Sequence, residues 1–104
     1  MPIEQWDPRR DGALDEAGLR RKLESRGYRG TTYVYPPGTV FPAHAHDVDK
    51  IDAVLSGQFR IELEGVGHDL LPGDCLHVPR GKIHNAAVIG PLPVISIDAI
   101  KTPA

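Results

Sequence analysis

Hydrophobic and polar residues alternate along most of the chain after residue 27. The clearest case is Gln58–Glu64, where Phe59, Ile61 and Leu63 are separated by charged residues, as expected for a strand with one buried face. The same criterion predicts further strands at Tyr28–Tyr35, Val40–Ala45, Lys50–Leu55, His68–Leu70, Cys75–Val78, His84–Ile89 and Val94–Ile100. Gly65-Val66-Gly67 is predicted to form a hairpin turn. Short strands separated by glycine and proline clusters indicate an all-β domain, either a sandwich or a barrel.

The segment before residue 28 has a helical pattern instead. Residues 15–26 begin with acidic side chains and end with basic ones, which suits the helix dipole. Leu19 and Leu23 lie four residues apart and share a face, and Gly27 is placed to end the helix. We therefore expect residues 1–27 to form an N-terminal extension with one short helix packed on the outside of a barrel made by residues 28–104.

Composition and charge exclude several classes of function. A chain of 104 residues fits one domain, and its net charge of −2 argues against a nucleic-acid or membrane surface as the main partner. No apolar run is long enough to cross a bilayer, no signal peptide is visible, and Cys75 has no second cysteine to pair with. We expect a cytoplasmic protein. Because a small domain has a large surface for its volume, a homodimer that covers the outer barrel face is also expected.

Three histidines are candidates for a metal site. His44 and His46 are separated by one residue, so on a strand both imidazoles leave the same face. Taken alone this pair is explained equally well by a polar strand face. His84 follows a Pro79-Arg80-Gly81 turn and could enter the same region from another strand. Three converging imidazoles would suit one divalent transition metal (Zn, Fe, Ni, Mn or Cu) and leave positions open for a ligand.

Two segments resemble the conserved motifs of the cupin superfamily. The first runs from Gly38 through the histidine pair to Gly57, and the second from Gly73 through Pro79-Arg80-Gly81 to His84. In both, the histidines and glycines keep the family's spacing. The resemblance implies a jelly-roll β-barrel with a metal at its mouth, bound by His44, His46 and His84.

Two positions depart from these motifs. The family's asparagine falls on Val88, and its metal-binding glutamate falls on Lys50. At ~5 Å and an effective dielectric constant of about 20, an ammonium would repel the metal by several kcal/mol per unit of metal charge. We favour a Lys50–Asp52 ion pair as the compensation. The alternatives are Asp52 as a fourth ligand, Asp49 in the glutamate's place after a shift of one residue, and a Lys50 that is neutral or points outwards.

The other candidate side chains have less specific interpretations. His77 and Cys75 share one face of their strand and are expected to point outwards, and His68 is expected on the surface. The aromatic residues are expected to pack outside the barrel or in a dimer contact, with a tyrosine at the pocket rim as the alternative; they are Trp6, Tyr28, Tyr33 and Tyr35.

Three functions are consistent with these residues. The first is a metal-dependent enzyme (an oxygenase, isomerase, lyase or decarboxylase) that acts on a small anionic metabolite, with Lys50 and Asp52 as candidate catalytic residues. The second is a non-enzymatic binding or sensor module for a small molecule or metal, since this fold hosts both roles. The third is a barrel with a degenerate metal site, which the lysine at position 50 would favour.

Overall fold

A computed structural model describes residues 3–103. Within that range the chain forms nine strands and two helices. The helices are α1 (Pro8–Asp11) and α2 (Glu16–Glu24). The strands are β1 (Ile3–Glu4), β2 (Tyr28–Tyr35), β3 (Val40–His44), β4 (Lys50–Ser56), β5 (Gln58–Leu63), β6 (Val66–Leu70), β7 (Cys75–Val78), β8 (His84–Ile89) and β9 (Val94–Lys101).

The strands form two antiparallel sheets whose inner faces enclose the main core. One sheet has the order β1-β7-β4-β9-β2 and the other β3-β8-β5-β6. Alternate residues from both sheets meet between them, including Val54 and Leu76 from the first and Ile61 and Val88 from the second. The all-β prediction is confirmed. The described strands pair within two separate sheets, so the arrangement is a sandwich and not one continuously hydrogen-bonded barrel.

The predicted helix covers the outer face of the five-stranded sheet. Asp15 caps α2 by accepting a hydrogen bond from the backbone N–H of Gly18 at 2.7 Å, and Leu19 and Leu23 are fully buried against that sheet. Cys75 lies in this second core, and burial raises the pKa of its thiol to about 11. The expectation that Cys75 points outwards is correct for the strand face, but α2 covers that face and leaves the thiol buried.

The first residues contribute structure that the sequence pattern did not predict. β1 pairs with β7, and Glu4 forms ion pairs with Lys22 and Arg26 of the helical segment. These contacts hold the carboxyl of Glu4 at a pKa of about 2, chiefly through its hydrogen bonds to Arg26. A strand of two residues and a helix of four are too short to show a period. The division of the chain at residues 27 and 28 stays a prediction.

The hairpin between β5 and β6 turns one residue earlier than predicted. Leu63 pairs with Val66, so Glu64 and Gly65 form the turn with φ angles of 49° and 81°. Two consecutive positive φ values define the type I′ turn, whose twist matches the flanking strands. Val66 is therefore the first residue of β6.

Several large apolar side chains remain exposed, among them Val34 and Val40 near the turn between β2 and β3. The outer sheet face that we expected a second subunit to cover is occupied by α2. The homodimer stays a prediction. No helix within residues 3–103 has the length and apolar character needed to cross a bilayer.

Candidate metal centre

His44, His46 and His84 converge at one end of the space between the sheets. Each offers a ring nitrogen, and these three atoms lie within 4.8 Å of one another. His44 ends β3 and lies opposite His84, the first residue of β8. His46 follows in the loop after β3, where its carbonyl accepts a hydrogen bond from the N–H of Gly81 at 2.8 Å. The three predicted ligands therefore come together, with His46 supplied by the loop and not by the strand that carries His44.

Hydrogen bonds to the backbone orient two of the three rings. The Nδ1–H of His44 donates to the carbonyl oxygen of Pro42 at 2.6 Å, and that of His84 to the carbonyl oxygen of Lys82 at 3.0 Å. Because a carbonyl can only accept, the neutral form of each ring carries its proton on Nδ1 and keeps Nε2 as a free lone pair. In the third ring, Nε2 of His46 is buried and makes no hydrogen bond within residues 3–103. A buried, unsatisfied nitrogen between two free lone pairs fits a metal ion.

The surroundings of His46 and His84 favour the neutral imidazole, which is the form that binds metal. Burial lowers the pKa of His46, and the positive charge of Lys50 lowers it further. Burial also lowers the pKa of His84. A neutral imidazole loses no proton when it binds a metal, so these shifts favour binding at neutral pH.

An aromatic wall adjoins the histidines. Tyr35, Phe41 and Phe59 line a cavity of about 190 Å³ that also contains the three histidines. The Tyr35 ring packs edge-on against Phe41, with ring centroids 4.9 Å apart. Burial raises the pKa of Tyr35 to about 12, so its hydroxyl stays protonated. Tyr35 therefore lies inside the fold, which corrects the expectation that it packs outside; of the two interpretations, the tyrosine in the pocket is the one observed.

Lys50 points into this cavity and is compensated mainly by Asp98, which the sequence pattern did not single out. The side chain of Lys50 is only 8% exposed, and Nζ lies 2.7 Å from a carboxylate oxygen of Asp98 and 3.8 Å from one of Asp52. Asp52 and Asp98 are directly opposite each other on β4 and β9, and Lys50 and Asp52 share the inner face of β4. The expected Lys50–Asp52 pair is thus the longer of two contacts. Asp98 could have been found from the alternation of Val94, Ser96 and Asp98, since this pattern places an acidic side chain on the buried face of the strand.

Neither proposed acidic substitute for the family's glutamate joins the histidine cluster. Within residues 3–103, the group of converging ligand atoms contains the three histidines and not Asp52. Asp49 instead accepts a hydrogen bond from the backbone N–H of Arg80 at 2.8 Å. Burial raises the pKa of Asp52 to about 7; Lys50 opposes this shift and Asp98 adds to it. Asp52 is therefore a buried carboxyl that can give or take a proton near neutral pH.

Replacing Asp52 with Asn is expected to stabilise the metal-free protein at pH 7.5 by about 1–3 kcal/mol. Between about pH 4 and 7, the folded chain holds a proton on Asp52 that the unfolded chain has already released. Stability from this group therefore falls as pH rises through that window. Urea unfolding with a chelator present, at pH 4.5 and 7.5, should show an advantage for Asp52→Asn only at the higher pH.

Asp69→Asn is the matched control, because Asp69 is half exposed and pairs with Arg60 on the other sheet. It should change stability little at either pH. A loss of stability in Asp52→Asn at both pH values would mean that ionised Asp52 holds Lys50 in place, and that this attraction outweighs the cost of burying the carboxylate.

The remaining histidines lie outside the cluster. His77 is exposed as expected, with 53% of its side chain accessible. His68 is half-buried and not fully on the surface, because it lies opposite the buried Ile61 on the inner face of edge strand β6. Neither belongs to the converging group found in residues 3–103.

A family model described as the cupin domain matches residues 31–99, which include all three histidines, Lys50, Asp52 and Asp98. Among curated proteins, the HTH-type transcriptional activator RhaS of Mannheimia succiniciproducens is 39% identical over 49 residues, or 47% of this chain and 18% of the activator. The chain spans less than a fifth of the curated relatives it matches.

Two solved structures share the fold at 27% identity. KdgF from Halomonas sp. aligns with a TM-score of 0.64 over 74% of this chain and 71% of its own. An RmlC-like cupin from Shewanella frigidimarina aligns with a TM-score of 0.64 over 71% of this chain and 65% of its own.

Proposed function

The chain belongs to the cupin family, and we propose that it holds one divalent transition metal on His44, His46 and His84 and there binds or transforms a small anionic metabolite. One observation carries this proposal. The three imidazoles converge within 4.8 Å, two have Nδ1 tied to the backbone, and the third has an unsatisfied buried nitrogen. An unpaired buried nitrogen is costly, and a metal ion bound by the three rings would remove that cost.

The donor set suits Zn, Fe, Ni, Mn or Cu. Three neutral nitrogen ligands leave the ion's full charge in place and leave coordination positions open to the cavity. A metal there would polarise a carbonyl or lower the pKa of a bound water. The aromatic wall of Tyr35, Phe41 and Phe59 limits water on the other side of the cavity.

The charge balance of the cavity favours an anion. The ammonium of Lys50 and the carboxylate of Asp98 cancel at 2.7 Å, and the raised pKa of Asp52 keeps part of its population neutral. The positive charge that remains is that of the metal, so it is the metal more than Lys50 that attracts a carboxylate. Lys50 and Asp52 are then placed to hold or move a proton beside the bound anion.

The alternative is a module that binds its ligand without transforming it. The similarity to part of a transcriptional activator is compatible with that role. The same metal and anion would be bound in both cases, so binding experiments test the shared part of the proposal. Turnover of bound acids, measured with the metal-loaded protein, distinguishes the two.

The first experiment is elemental analysis of protein purified without added metal. We expect about one equivalent of a transition metal per chain in the wild type, and a large loss in a variant with Ala at His44, His46 and His84. A wild type that neither carries nor takes up metal would contradict the proposal and favour the hypothesis of a degenerate site.

A further inference from the structure

A second cavity of about 290 Å³ adjoins the metal cavity on the side of edge strand β2. The two cavities share His46, Lys50 and Asp98 in their walls. The second is otherwise lined by Arg29, Thr31, Tyr33, Val48 and Ile100. A molecule bound at the histidines can therefore extend into it without crossing the core.

The alternation of β2 supplies the polar wall of this cavity. Arg29, Thr31 and Tyr33 occupy every second position and so share the inner face of the strand. Arg29 lies opposite Ile100, and Ile100 lies opposite Lys50 on the next strand. Arg29 and Lys50 thus lie on one face two strands apart, with roughly 10 Å between their backbones.

Lys50 and Arg29 differ in whether a carboxylate neutralises their positive charge. Lys50 is buried and already paired with Asp98. Arg29 is exposed to the cavity and forms no ion pair or side-chain hydrogen bond with any residue from 3 to 103. Its guanidinium is free to take a carboxylate with two parallel hydrogen bonds. The hydroxyls of Thr31 and Tyr33 add donors on the same face.

We propose that the second cavity binds a second anionic group of the ligand, which makes the ligand a dicarboxylate. One carboxylate lies at the histidine cluster and the other on Arg29. Ile100 lies between Arg29 and Lys50 and provides an apolar surface for the carbon chain that joins the two carboxylates. This inference rests on the proposed function and specifies its class of ligand.

The test is calorimetric titration of the metal-loaded protein with unbranched acids. Butyrate and valerate are the monocarboxylate probes, and succinate and glutarate are the dicarboxylates of the same chain lengths. The wild type is expected to bind the better dicarboxylate at least about tenfold more tightly than its monocarboxylate, as one charged, bidentate contact would give. Arg29→Gln should abolish this preference, weakening the dicarboxylate far more than the monocarboxylate, and Arg29→Lys should retain part of it.

Arg60→Gln is the matched control, since Arg60 is exposed on the other sheet and pairs with Asp69. It should keep the wild-type preference. A wild type without a preference for dicarboxylates, or an Arg29→Gln variant that keeps it, overturns the inference. Metal uptake is measured on the same samples by elemental analysis. Normal uptake with no dicarboxylate preference refutes this inference alone, whereas failed uptake by the wild type refutes the proposed function and this inference with it.

Discussion

Replacing His84 with Ala is expected to weaken binding of a divalent transition metal by more than about a hundredfold, the upper range seen when only an outer partner of a ligand is lost. His84 supplies an Nε2 lone pair held in place by its Nδ1–H bond to the carbonyl of Lys82. No carboxylate within residues 3–103 converges on the cluster, so none is placed to take over from a lost imidazole. Titrations of Ni, Zn and Fe(II) into chelator-treated protein would measure the loss, and His44→Ala and His46→Ala should behave alike.

His77→Ala provides the control, since His77 is exposed and outside the cluster. It should leave metal affinity within a factor of about 2, as expected for a surface change. Thermal unfolding of each metal-free variant shows whether the fold is retained. If folded His84→Ala bound metal as tightly as the wild type, the ligands would be misassigned.

The local pattern of the sequence was enough to predict most of the sheet. Strands β2, β7 and β8 have the predicted limits, because alternation and flanking turns act over short distances. The convergence of the three histidines was also predictable, since the family resemblance groups them, and the structure pairs His44 with His84 across neighbouring antiparallel strands. Neither prediction depended on how the two sheets stack.

What the sequence did not predict depends on how distant strands are arranged. Asp98 meets Lys50 because β9 lies beside β4, although four strands separate the two along the chain. Tyr35 lines the cavity because β2 is the edge strand whose inner face turns towards the histidine cluster. β1 forms only because β7 offers it a free edge. Each of these contacts joins distant segments, and alternation within one segment does not reveal it.

Because Lys50 is paired with Asp98, a substitution that removes either charge is expected to change metal affinity without altering a histidine. Asp98→Asn removes the carboxylate that compensates the buried ammonium, so the cavity becomes more positive and metal binding should weaken by roughly tenfold to a hundredfold. Lys50→Met removes the ammonium and should have the opposite effect. The double variant Lys50→Met/Asp98→Asn has the same net charge as the wild type, and its affinity should return close to the wild-type value.

The double variant separates charge compensation from direct ligation by Asp98. If Asp98 were itself a metal ligand, Lys50→Met/Asp98→Asn would still bind clearly more weakly than the wild type, because the lost ligand is not replaced. Recovery in the double variant requires instead that the two charges cancel at the metal, as their 2.7 Å separation implies. Folding stability provides the internal check, since Lys50→Met alone leaves the partly buried carboxylate of Asp98 unpaired and should destabilise the chain, whereas removing both charges should cost little. Metal titration and urea unfolding of the four proteins would then show why this cupin tolerates a lysine where the family places a glutamate.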